Sequence, residues 1–142
     1  MRDAAEEHPA QHGAFDAVLA DVPCSGLGII RKKPDIRFKK AEEISALPAL
    51  QESILRSAAK AVRPGGSLVY STCTILPQEN RQVVDAFLAD NPEFSIESLA
   101  LPELLGKTDG DITLLPHVHH TDGFYICKLR RAGTHGERNN RT

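Results

Sequence analysis

Two short apolar runs constrain this chain more than any other feature. Phe15-Asp16-Ala17-Val18-Leu19-Ala20-Asp21 and Ser67-Leu68-Val69-Tyr70-Ser71-Thr72 both read as buried strands, each ending in polar residues. Between them, Leu47, Leu50, Gln51, Ile54, Leu55, Ala58 and Val62 recur at spacings of three and four, the mark of a helix with one apolar side. Pro48 suits the first turn of that helix, and Pro64-Gly65-Gly66 is expected to stop it. Further on, Pro77 fits another helix start. Val83, Val84, Phe87 and Leu88 supply that helix's stripe, and Asn91-Pro92 ends it. Two runs near the end, residues 112–115 and 123–129, look like strands joined by a His-rich loop, and residues 94–101 are ambiguous with some strand-like alternation. Strand, helix, strand, helix and then a strand pair argues for an α/β sheet, parallel in its first part and closing on an antiparallel pair.

The chain has 142 residues, 41% of them hydrophobic, which is one domain's worth of material with a core of its own. Trp is absent and other aromatics are few, so the core is expected to be aliphatic. A formal net charge of −2 gives no whole-surface attraction to nucleic acid, although a local basic patch remains open. No apolar run approaches the roughly 20 residues of a membrane helix, and the polar N-terminus is no signal peptide. The three cysteines, Cys24, Cys73 and Cys127, have no C-x-x-C spacing, which weakens zinc and thioredoxin-like readings and suits a reducing cytoplasm. Residues 1–13 read as a linker or remnant of a preceding region, and the polar residues 132–142 as a disordered tail.

In open α/β sheets, ligands sit beyond the carboxyl ends of the parallel strands. Asp21, Cys24 and Cys73 all fall there. A cysteine is ordinarily a small buried hydrophobe, and Cys127, inside an apolar strand, fits that description. Cys24 and Cys73 are flanked by Asp, Ser, Thr and Gly, which favours reactive thiols. Arg31, Lys32, Lys33, Arg37, Lys39 and Lys40 set six cations against the single acid Asp35. This stretch is either a solvated loop or a phosphate-binding patch whose grip weakens with salt. His117, His119 and His120 have no companion Cys or acid at ligand spacing, so no metal is expected. Glu79 and Asn80 read as caps of the following helix.

The stretches DAVLADVPCSGLG (16–28), RKKPDIRFKK (31–40), LQESIL (50–55), RPGGSLVYSTCT (63–74), PQEN (77–80) and DGFYICKL (122–129) resemble the C-terminal part of the catalytic domain in the NOL1/NOP2/Sun family of RNA m5C methyltransferases, in its bacterial RsmB (Fmu/Sun) branch. A Pro-Cys loop paired with a later Thr-Cys loop makes the likeness specific. The resemblance implies the C-terminal portion of a Rossmann-like class I methyltransferase sheet over residues 14–131. It implies S-adenosylmethionine as methyl donor and ribosomal RNA, 16S by analogy, as substrate. It gives Cys73 the role of nucleophile and Cys24 that of assisting product release. Asp21 would contact the base edge, the donor's amino group or both, unless it merely caps a loop, and Pro23 would line the donor site. Residues 31–40 would contact RNA.

The family's glycine-rich donor motif and the lysine that activates its nucleophile belong to earlier segments. Gly65-Gly66 precedes a strand, so it is a turn and no donor loop. The chain therefore reads as a fragment that is inactive alone, with the strand at 15–21 left as an apolar edge open to self-association. Two other readings stay open: a non-enzymatic half-domain that binds RNA weakly, and a DNA cytosine-C5 methyltransferase, in which the Pro-Cys thiol would be the nucleophile.

Overall fold

The structure is a computed structural model that describes residues 12–28, 40–99, 110–119 and 121–133. Strand β1 (Phe15–Asp21) pairs in parallel with β2 (Val62–Thr72), and the crossover runs through the short helix α1 (Ala41–Ser45) and the long helix α2 (Leu47–Ala61). A turn of 3-10 helix (Pro77–Glu79) leads into α3 (Arg81–Asp90), and then come β3 (Phe94–Ile96), β4 (Asp111–Leu114), α4 (Pro116–His119) and β5 (Phe124–Arg131). β5 lies antiparallel beside β2, and both β3 and β4 pair antiparallel with β5 on its far side. The ambiguous stretch after Pro92 thus contributes a three-residue strand. The helix–strand alternation and the closing antiparallel pair are as the sequence predicts.

The start of β2 differs from expectation. The strand begins at Val62, five residues before Ser67, and takes in the Pro-Gly-Gly segment. Pairing with β1 jumps from Phe15–Val62 to Ala17–Ser67, so Arg63 to Gly66 form a bulge. Pro64 has no amide hydrogen for a ladder, and Gly65 adopts φ +80°, a region that favours glycine. The carbonyls exposed by the bulge are met from β5: Arg130 donates to Gly65 O at 2.9 Å and Arg131 to Val62 O at 2.6 Å.

α2 packs on β1 and β2, with α3 beside it. Ile54, Leu55 and Ala59 of α2 and Val83, Val84 and Phe87 of α3 share one core with Ala20, Leu68, Tyr70, Cys127 and Leu129 of the sheet. Leu50, on the expected apolar stripe, stands 42% exposed instead. The core is mainly aliphatic, as expected, with four aromatic rings, Tyr70, Phe87, Phe94 and Tyr125, set into it. Tyr70, Tyr125 and Phe87 are the largest fully buried side chains, the two tyrosine rings meeting edge-on at 6.2 Å and Phe87 packing on Phe94 at 5.2 Å. Few as they are, the rings weigh in the core because they bury more area per residue than any other side chain.

The opposite face of β1 is different. Side chains alternate along a strand, and Phe15 and Leu19, both turned away from the core, are 44% and 66% exposed. β1 ends the sheet and has β2 as its single strand partner among the described residues.

Leu55 of α2 is fully buried in the core that the helices share with the sheet. Leu55→Ala should cost about 2–5 kcal/mol, as buried Leu truncations do, read as a lower urea midpoint at unchanged slope.

Candidate active site

Parallel pairing decides where the two reactive-looking thiols go. Asp21 is in register with Ser71, and the pairing continues one step further through Val22 N–H to Ser71 O at 3.2 Å. Both chains then leave the sheet at the same rim. Cys24 lies three residues past Asp21 and Cys73 two past Ser71, and their sulfurs stand 3.0 Å apart. The Cys73 amide also donates to Cys24 Sγ at 3.3 Å. Both thiols are partly exposed, while Cys127 is fully buried in β5.

Backbone contacts hold the two loops together. Gly28 N–H donates to Cys73 O at 2.9 Å, and Gly123 N–H donates to Gly28 O at 2.6 Å, tying the first loop to the entry of β5. A Cβ on Gly28 would lie 2.0 Å from Gly123 O, so the approach needs glycine.

Beneath the sulfurs lies a buried polar cluster that the sequence did not announce. Glu79 is fully buried. Its Oε1 accepts from the Ser25 amide at 2.8 Å and from Gln51 Nε2 at 3.0 Å. Its Oε2 accepts from the Ser25 hydroxyl at 2.7 Å and the Thr74 hydroxyl at 3.0 Å, and those two hydroxyl oxygens are 2.8 Å apart. Gln51 Nε2 also reaches Pro23 O at 3.0 Å. Asn80 is engaged as well: the Thr72 hydroxyl donates to its Oδ1 at 2.6 Å, and its Nδ2 donates to Thr74 O at 2.9 Å. The helix-capping role expected of Glu79 and Asn80 is therefore corrected. Neither side chain caps α3; both face inward and bind the thiol loops. The available signal was Gln51, a polar residue on an apolar stripe, which asks for a buried partner.

Burial sets the electrostatics. It pushes the Cys24 thiol up from 9.0 to about 12, and the neighbouring Cys73 sulfur adds to the effect. Cys24 thus holds its proton across the neutral range and can donate it toward Cys73 Sγ. Burial likewise raises Cys127 to about 12, in keeping with an inert core thiol. The Tyr70 hydroxyl, raised by burial and then by the Glu79 charge, stays protonated and donates to Glu79 O at 2.5 Å.

Asp21 and Pro23 are exposed at the rim, and Asp21 Oδ1 accepts from the Ser71 hydroxyl at 3.0 Å. Lys40 is exposed just before α1. Arg31, Lys32, Lys33, Arg37 and Lys39 lie outside the described residues, as do the side chains of His117, His119 and His120. A groove of about 1200 Å³ opens at the other end of the sheet, between Gly13, Lys60, Pro64 and Arg131. Its Arg56 is already paired with Glu52 and Asp90, and no thiol reaches it.

The fold and rim define the class: a portion of a Rossmann-like methyltransferase. Solved structures with a similar fold include PH0851, with a TM-score of 0.82 and 36% identity over 92% of this chain and 30% of that one. A methyltransferase homologue from Pyrococcus horikoshii gives a TM-score of 0.64 and 32% identity over 82% and 39% of the two chains. The chain belongs to the 16S rRNA methyltransferase RsmB/F family, whose pattern matches residues 2–130. It is 46% identical over 126 residues to the "Probable ribosomal RNA small subunit methyltransferase B" of Bacillus subtilis, covering 84% of this chain and 28% of that one. The ribosomal RNA small subunit methyltransferase B of Shewanella oneidensis is 42% identical over 83% and 27%. The chain thus spans between a quarter and a third of the length of these relatives. Among the described residues, no helix is long and apolar enough to cross a membrane.

The raised Cys24 thiol has a measurable consequence. At pH 8, iodoacetamide should label Cys24 in the native chain at least ~100-fold more slowly than in the urea-unfolded chain, because the thiolate is the reactive form. The native rate should climb toward pH 12. The folded value exceeds the unfolded one, so the protonated thiol's contribution to stability is complete below pH 9 and is lost between 9 and about 12. Equal labelling rates at pH 8 would contradict the burial argument.

Proposed function

We propose that this chain supplies the thiol half of an active site for S-adenosylmethionine-dependent cytosine-C5 methylation of ribosomal RNA, 16S by family. The observation that carries the reading is the pair of sulfurs 3.0 Å apart at the carboxyl rim of two parallel strands. The C5 carbon of cytosine is a weak nucleophile. Addition of the Cys73 thiolate to C6 forms an S–C6 bond and makes C5 electron-rich enough to take a methyl group, dividing one hard step into two easier ones. The donor supplies an electrophilic methyl on a sulfonium. After transfer the donor leaves as a neutral thioether, the C5 proton passes to solvent, and the electron pair of the C5–H bond restores the C5=C6 double bond as the S–C6 bond breaks and Cys73 departs as thiolate, with Cys24 assisting that release. The attack is given to Cys73 by the family likeness of its Thr-Cys loop, and the 3.0 Å separation lets Cys24 act on its neighbour.

Asp21 and Pro23 would form one wall of the donor and base site. Asp21 is exposed at the rim and oriented by Ser71, so its free oxygen can accept from an amino group. Residues 31–40, including Arg31, Lys32, Lys33, Arg37, Lys39 and Lys40, would hold RNA phosphates. The target cytosine must leave its stack to reach the sulfurs. One wall does not make a donor site, so the chain alone should not transfer methyl groups.

The 142-residue chain incubated with 16S rRNA and labelled donor should give no incorporation. Fused behind the upstream portion of the Bacillus relative, it should form a covalent adduct with RNA containing 5-azacytosine. Cys73→Ala should abolish the adduct, and Cys24→Ala should retain it. Loss with Cys24→Ala alone would favour the DNA-type assignment, and strong incorporation by the chain alone would refute the half-site.

The exposed Phe15 and Leu19 on an end strand also favour pairing of two copies in a pure solution of the chain. Sedimentation should show a concentration-dependent dimer that Leu19→Lys weakens at least about tenfold, the scale of desolvating one charge at an interface. A clean monomer at high concentration would end this idea.

A further inference from the structure

The residue that follows each thiol binds the same carboxylate. Ser25, next after Cys24, gives Glu79 both its amide and its hydroxyl, at 2.8 and 2.7 Å, and Thr74, next after Cys73, gives its hydroxyl at 3.0 Å. We infer that Glu79 is a positioning residue that clamps the two cysteine loops at one spacing and thereby sets the distance between the sulfurs.

The clamp is itself anchored. The main chain of Glu79 is fixed by the Tyr70 hydroxyl from inside β2, and Gln51 of α2 holds Oε1 and the carbonyl of Pro23 together. One helix and two loops therefore converge on one side chain that hydrogen-bonds to neither sulfur. A fully buried carboxylate is costly unless its oxygens are satisfied, and four donors satisfy this one. Positional control of this kind matters because misplacing a reacting group by about 1 Å can cost ~100-fold in rate. The catalytic meaning of the clamp rests on the proposed function, whereas its effect on the sulfurs does not.

The test reads the sulfurs directly. Equilibrating the chain with glutathione, where two protein thiols and one oxidised glutathione give one protein disulfide and two reduced glutathiones, yields the effective concentration of the Cys24–Cys73 pair. Closing a sulfur pair from 3.0 Å to the bond length of about 2.05 Å needs little movement, so the wild-type value should be high. Glu79→Ala should lower it at least about tenfold, and Glu79→Gln, whose carbonyl still accepts from the Ser25 amide and Gln51 while its amide donates to the two hydroxyl oxygens, should stay within about threefold. Val84→Ala, a fully buried position in α3 outside the clamp, should lower stability and leave the effective concentration within about threefold. If Glu79→Ala does not fold, Ser25→Ala and Thr74→Val replace it, each with an expected fall of at least about threefold.

An unchanged value in Glu79→Ala, in both substitutes, or a fall in Val84→Ala as large as in Glu79→Ala would overturn the clamp. In the fused protein, Glu79→Ala should slow adduct formation at saturating RNA at least about tenfold with half-saturation unchanged. No adduct from the wild-type fusion would sink the proposed function; a wild-type adduct that Glu79→Ala forms equally fast would sink the clamp.

Discussion

Everything at the rim depends on the parallel pairing of β1 with β2. The two thiols are 49 positions apart in the chain, and only strands that run the same way deliver both to one end of a sheet. An antiparallel pairing of the same runs would have sent the Pro-Cys loop to one end and the Thr-Cys loop to the other. Parallel pairing needs a crossover, and α2 supplies it with a side that buries Ile54, Leu55 and Ala59. The register then does the fine placement. A slip of one residue would carry Leu68 and Tyr70 from the buried face to the other, so the packing that stabilises the sheet also fixes where the sulfurs emerge.

Pairing brings the loops to the same rim, but sheets do not specify what lies beyond their last ladder bond. That task falls to polar contacts, and polar contacts are decisive only where water is kept out. Glu79, Gln51, Ser25 and Thr74 are all fully buried. Losing any one would leave buried partners unsatisfied, at about 1–3 kcal/mol each. The cluster is thus a stringent determinant of one loop arrangement. It also lets the sulfurs sit partly exposed, because the burial that holds the loops lies one layer below them.

The elements that declared themselves in the sequence were those with a period. α2, α3 and β5 each bury one face and expose another, and such a pattern survives in the bare string of residues; β1 declared itself as an apolar run, and its expected burial holds for Ala20 alone. Cys24 and Cys73 were legible because polar flanks at strand ends are unusual for thiols, and because a resemblance joined them. What escaped had no period. The bulge of Arg63 to Gly66 looked like a helix stop, since Pro and Gly break helices and bend strands alike. Glu79 looked like a cap because its partners Ser25 and Gln51 lie 54 and 28 positions away. Long-range hydrogen bonds leave no local trace beyond an out-of-place polar residue, and here that trace was Gln51. The aliphatic character of the core was legible from composition, but which of the few rings would be buried was not.

Among the described residues, the contacts that hold the two thiols are the Gly28–Cys73 and Gly28–Gly123 backbone bonds, the Glu79 cluster and the Asn80 contacts to Thr72 and Thr74. None of them reaches across the open edge of β1. The geometry of the sulfurs and the exposure of that edge are therefore separable properties of one small sheet. A protein can keep its reacting groups in place on one side of a sheet while the other side stays available for further structure, provided that the clamp draws only on elements already packed together. β2, at the centre with β1 and β5 on either side, meets that condition, and the Thr-Cys loop leaves from it.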